Sequence, residues 1–171
     1  MPENVYAKQD IWYGCLFCVT GREREVARNV ELLWPGVIAC AVCILKRRTC
    51  QGIKRLEPEI LIPGYVFFCA PADYMDFSPW PSDVWKMLRS LDGSWRLAGT
   101  DEAFARWLLQ HDGEIGLSKA YEVGERIHIH SGPLKDMEGY ITRIDRRNRS
   151  GQVCLTINGR EIRAWLGFEM L

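Results

Sequence analysis

Between Val123 and Asp145 the chain reads VGERIHIHSGPLKDMEGYITRID, and this stretch leaves few folds open. Ile127 and Ile129 alternate with polar residues, the period of a strand with one buried face. Gly132 before Pro133 allows a tight turn, and Gly139 relieves the backbone where the next strand must bend back. The alternation returns in Gly139 to Asp145, Gln152 to Ile157 and Glu161 to Leu166, with turn signals at Ser150-Gly151 and Asn158-Gly159. Roughly fifty residues of short antiparallel strands predict a closed or nearly closed small barrel, which removes exposed edges.

The preceding part of the chain mixes two periods. Ile11 to Val19 is apolar on both faces, as for a central strand of a covered sheet. Thr20-Gly21-Arg22-Glu23 then has the form of a capping box. Val26, Val30, Leu33 and Trp34 recur at helical spacing before Pro35-Gly36 ends the helix. Val37 to Leu45 predicts a second strand. It leads into a hairpin-like excursion holding Lys46-Arg47-Arg48, Gly52 and Lys54-Arg55, and the chain returns as the strand Gly64 to Cys69. Ser82 to Leu91 is read as a helix with Val84, Leu88 and Leu91 on one face, and Gly93 to Gly99 as a short strand. Asp101 to His111, capped by Thr100, predicts a further helix carrying Phe104, Trp107 and Leu108. The expected class is α+β. A βαββαβα domain at 10–112 is followed by an aperiodic linker at 113–120 and an all-β barrel at 121–171.

Of the 171 residues, 47% are hydrophobic and 26% charged, enough for a real core. Lys+Arg and Asp+Glu balance at 22 each, so any surface for nucleic acid must be local. No apolar run approaches the ~20 residues of a membrane span, and the N-terminus lacks a basic-then-apolar leader. A soluble, cytoplasmic monomer without membrane contact is expected.

Seven cysteines in such a chain point to reduced thiols. Cys15 and Cys18, like Cys40 and Cys43, have the spacing of zinc ligands, but they sit in apolar strand-like runs. Residues three apart on a strand face opposite ways, so core thiols are expected and no metal. His128 and His130 alternate out of a strand without a third ligand at fitting spacing. No nucleophile with a base and orienter, no phosphate loop and no metalloprotease motif is present, so neither catalysis nor a cofactor is expected.

Lys46, Arg47, Arg48, Lys54 and Arg55 lie within ten residues with no acid among them. Such a block either neutralises phosphates or is a solvated hairpin. Arg146, Arg147 and Arg149, flanked by Asp145, form a second candidate patch, read evenly as RNA contact or a plain charged turn.

The strand, Gly-Pro turn, glycine and strand of Val123 to Asp145 resemble a KOW motif. A second stretch, LEPEILIPGYVFF at Leu56 to Phe68, strengthens the case. With Trp12-Tyr13, Thr20-Gly21, Glu23 and Ile62-Pro63-Gly64-Tyr65-Val66, residues 10 to 171 resemble the NusG family of transcription elongation factors, an NGN domain followed by an SH3-like KOW barrel. Gly159-Arg160 resembles the family's Gly-Arg turn. Leu61-Ile62 departs from its usual Phe-Phe. The ending Trp165-Leu166-Gly167-Phe168-Glu169 is more similar to specialised LoaP-type antiterminator paralogues.

The resemblance implies a non-enzymatic transcription elongation and processive antitermination factor. Its NGN domain would dock on the clamp helices of the largest RNA polymerase subunit through Ile62, Pro63, Tyr65 and Phe67. The plainer reading of these residues, Phe67 above all, is strand core. Tyr65 suits a half-exposed edge. The resemblance also implies recruitment by an RNA hairpin or non-template DNA, and a ribosomal or termination-factor partner for the KOW domain. The competing reading is a ribosome- or translation-associated KOW RNA-binding protein, against which the NGN-like first domain counts.

Overall fold

In the computed structural model, which describes residues 10–90 and 92–171, the first apolar run forms strand β1 (Ile11–Cys18) and the next amphipathic segment forms helix α1 (Glu23–Leu33). β1 lies inside an antiparallel sheet of order β2-β5-β1-β6, with β2 at Ile38–Ala41, β5 at Tyr65–Pro71 and β6 at Val84–Met87. Burial on both faces explains its unbroken apolar character. On one face Val26, Ala27, Val30 and Trp34 of and after α1 pack with Leu16, Cys18, Val66, Phe68 and Ala70. On the other, helix α2 (Gly99–Gln110) buries Phe104, Ala105 and Leu108, and the Phe104 ring meets Phe67 edge-on at 5.5 Å.

One compact unit takes the chain up to Val42 and again Ile62–Gly113; the other takes Cys43–Leu61 and Glu114–Leu171. The second unit opens with a regular hairpin, β3 (Cys43–Cys50) against β4 (Ile53–Ile60), beside which β7 (Glu114–Ile115) runs parallel to β3. Its larger sheet has the order β10-β11-β12-β8-β9. These strands are β8 (Ser118–Val123), β9 (Arg126–Ser131), β10 (Ile141–Asp145), β11 (Ser150–Ile157) and β12 (Arg160–Met170). Ala120, Ile129, Leu134, Val153, Leu155, Ile157, Ala164, Leu166 and Phe168 fill its interior. The fold is α+β, and no helix among the described residues is long and apolar enough to cross a membrane.

Several local expectations are corrected. Glu23 does bond backwards, but to the Gly21 amide, and Arg22 occupies the N-cap without a side-chain bond, so Thr20 does not form a capping box. Thr100 does not cap α2 either, because the helix starts a residue earlier at Gly99, behind Ala98. The apolar run 37–45 is two strands, broken at Val42 where the chain passes between units. Residues 82–90 are not helical. Val84 and Leu88 have helical spacing, yet the segment is the edge strand β6, held by Leu88 N–H donating to Cys15 O at 2.9 Å; Leu91 lies outside the described residues. The stretch 93–98 is irregular rather than a strand, with the Trp95 ring stacked on Phe68 at 5.5 Å. Residues 113–120, aperiodic in sequence, carry β7 and the start of β8, and bury Ile115, Ser118 and Ala120. After Gly132 the chain makes a short helix α3 (Pro133–Asp136) and a 3-10 turn (Glu138–Tyr140). Gly139 lies within that turn with negative φ and open space around it, so glycine is not required there.

Candidate functional site

The segment Ile62-Pro63-Gly64-Tyr65 in the first unit is built around one buried carboxylate. Glu23, only 2% exposed, accepts the Gly64 amide at 2.8 Å and the Gly21 amide at 2.9 Å. Burial pushes this carboxyl up, but the amides of Gly64, Glu23 itself and Gly21 outweigh it and hold it below the usual glutamate range. Gly64 has φ 84°, and its carbonyl accepts the Cys18 amide at 2.8 Å, while a Cβ there would press on the Phe17 ring at 3.2 Å. The turn is thereby fastened to both the start of α1 and the end of β1.

This fastening aims Tyr65. Its ring meets Phe17 edge-on at 5.5 Å, both rings are half-buried, and Pro63 beside them is exposed. Lys86 of β6 stands 6.0 Å from the Phe17 ring. Parity explains the arrangement: Cys15 and Phe17 share a sheet face, as do Tyr65 and Phe67. The α2 end of that face is covered at Phe67 and Cys15; the Phe17–Tyr65 end is not fully covered. Of the four residues expected on a docking surface, Pro63 and Tyr65 are accessible. Ile62 (3% exposed) and Phe67 (0%) are core side chains, because Phe67 lies between Cys15 and Cys40 in register and under Phe104. Phe17 was missed; counting two residues on from buried Cys15 would have found it.

The same register separates Cys15 from Cys18. Cys18 belongs to the α1-side core, whereas Cys15 flanks Phe67 on the α2 side. Burial, helped by Asp101, pushes the Cys15 thiol well up, and burial with Glu23 raises Cys18 to about 11. Both are protonated core groups.

In the β3–β4 hairpin, pairing brings acids to the cations that the linear order kept apart. Lys46 bonds Glu59 at 3.1 Å, and Arg48 pairs with both Glu59 and Glu57. These cations hold the Glu59 carboxyl below its usual range, through hydrogen bonds from Lys46 and then Arg48. Arg47 turns to the other face, donating to the Phe168 carbonyl at 3.0 Å, with Glu169 at 3.7 Å. Lys54 and Arg55 have no acidic partner among the described residues. Arg48 lies directly opposite Arg55 and Thr49 opposite Lys54, next to a tip where Gln51 and Gly52 both have positive φ. The candidate phosphate surface therefore narrows to Lys54 and Arg55.

The 145–150 turn is shaped by Asp145, which accepts the Asn148 amide at 2.9 Å and its side-chain NH2 at 2.8 Å. These bonds hold the Asp145 carboxyl below its usual range. Arg146 pairs with Glu122 at 3.4 Å, and Arg149, at φ 50°, accepts the Phe168 amide on its carbonyl. Arg146, Arg147 and Arg149 are all exposed. His128 and His130 surround Tyr121, with His128 stacked on it at 5.4 Å.

No family model matches the chain. It is 27% identical over 135 residues to the transcription termination/antitermination protein NusG of Thermus thermophilus, which spans 70% of this chain and 71% of that protein. A solved structure described as "Domain interaction in Thermotoga maritima NusG" is 23% identical, with a TM-score of 0.49, over 92% of this chain and 94% of its own. Over those 135 residues the chain is similar to NusG.

Proposed function

We propose that this chain is a transcription elongation and antitermination factor. Its first unit, the NGN-like domain, docks on RNA polymerase through Tyr65, Phe17 and Pro63, and the β3–β4 hairpin contacts nucleic acid through Lys54 and Arg55. The observation that carries the reading is the Phe17–Tyr65 edge pair, half-buried beside an exposed proline at a rigid turn. Such a patch suits the apolar side of a partner helix, here the clamp helices of the largest subunit. The similarity to NusG supports this choice of partner. Docking alone requires no chemistry, so the protein acts by bridging rather than by catalysis.

Recruitment is by a structured nucleic-acid element, an RNA hairpin in the first instance, with non-template DNA as the alternative. Phosphate contacts from the hairpin tip position the protein without reading sequence. The ending Trp165 to Glu169 supports a specialised, LoaP-type member of the family. Ribosome-associated binding through the second unit is the weaker reading, because it leaves the Phe17–Tyr65 surface without a use. Single-round transcription with purified polymerase tests the proposal. Added protein should raise elongation rate or read-through at a terminator downstream of the recruiting element, and no change on any template contradicts it.

A further inference from the structure

The outer face of the larger sheet in the second unit carries a row of side chains that neither proposed surface uses. In the register of β10, β11 and β12, Arg143 lies beside Gln152, and Gln152 beside Trp165. One pleat along, Cys154 lies beside Arg163, which shares a face with Trp165. The alternate residues Val153, Ala164 and Leu166 are buried, so this row faces outward. Trp165 is 37% exposed, and Arg143 and Arg163 are exposed on either side of it.

The polar groups are arranged rather than scattered. The Thr142 hydroxyl is 3.2 Å from Gln152 Oε1, a contact that orients the amide and leaves its NH2 to donate outward. The nearby acids are already engaged: Asp145 with Asn148, and Glu161 with Arg163 at 2.7 Å. Beyond β10 the turn adds Arg146 and Arg147 to the same edge of the sheet. An indole face, an amide donor and flanking guanidinium groups on a sheet form the combination that stacks a base while holding its phosphates.

We infer that Arg143, Gln152 and Trp165 form a binding platform for single-stranded nucleic acid. One base stacks on Trp165, Gln152 donates to its edge, and Arg143 takes a neighbouring phosphate. The inference rests on the second unit alone and stands whether or not the first unit docks on polymerase.

The test uses the full chain with fluorescein-labelled decamers of uridine and deoxyuridine, followed by anisotropy at several salt concentrations. Trp165→Ala should weaken binding about tenfold, whereas Trp165→Phe, which keeps a stacking face, should stay within about threefold. Arg143→Glu should lower the salt slope by roughly one. With 5-iodouridine in the oligomer, photocrosslinking should label the peptide containing Trp165, and Lys54→Glu/Arg55→Glu in the hairpin should leave that label in place. Tighter binding of the ribo-oligomer assigns RNA, and equal binding assigns single strands of either sugar. Unaltered affinity in both Trp165→Ala and Arg143→Glu, a crosslink confined to other peptides, or no binding of either oligomer overturns the inference. A protein partner on this face would give those same overturning results.

Discussion

The amide of Gly64 donates a 2.8 Å hydrogen bond to the carboxylate of Glu23, across 41 residues of chain, and among the described residues no cation pairs with that carboxylate. The charge is held by backbone N–H groups alone, and the turn so held sets the direction of Tyr65. Replacing Glu23 with Gln would leave one amide facing an NH2 instead of an oxygen, so the variant should lose about 3 kcal/mol of stability. Because the folded carboxyl titrates below its unfolded value, its contribution is complete above the usual glutamate range. It is lost as pH falls through the folded value. Urea unfolding of wild type and Glu23→Gln should therefore show a constant gap at neutral pH that closes in acid.

The hairpin makes a prediction that the linear sequence would have aimed differently. Arg48 and Arg55 look equivalent in sequence, but Arg48 is already paired with Glu57 and Glu59. Lys54→Glu/Arg55→Glu should reduce the salt slope for binding a structured nucleic acid by about two, one unit for each phosphate that is no longer neutralised. Lys46→Glu, which removes a cation already paired with Glu59, should change the slope far less. Electrophoretic shift across a salt series measures both.

Core packing supplies a third expectation. A Cβ at Gly14 would fall inside the Phe68 ring, and that ring is boxed by Trp34, Phe77 and Trp95. With no room for Phe68 to retreat, Gly14→Ala should destabilise the first unit by about 1–3 kcal/mol. Thermal unfolding followed by near-UV circular dichroism checks this.

The strands and helices with clean periods were legible: β1, α1, α2 and the strands from β9 onward all follow their apolar spacing. β6 was not, because Val84 and Leu88 satisfy a helical spacing while hydrogen bonds from β1 hold the segment extended. Of the candidate docking residues marked in the sequence, Tyr65 and Pro63 are the two that the fold leaves accessible. Phe67 was not separable from Tyr65 until strand parity and the position of α2 placed one under a helix and left the other at its margin. Glu57 and Glu59 stand in plain view in the sequence, yet their pairing with Lys46 and Arg48 depends on a register that composition does not encode.

The central claim is docking of the Phe17–Tyr65 surface on RNA polymerase. Its most direct test is equilibrium binding of the full chain to a clamp-helix fragment of the largest subunit, compared with Tyr65→Ala and Phe67→Ala. Loss of the Tyr65 anchor should weaken binding by ~1–3 kcal/mol, roughly ten- to a hundredfold, while thermal stability stays near wild type. Phe67→Ala should do the reverse, lowering stability by about 3 kcal/mol or more while folded molecules still bind. A folded Tyr65→Ala protein that binds the clamp helices as tightly as wild type would contradict the account.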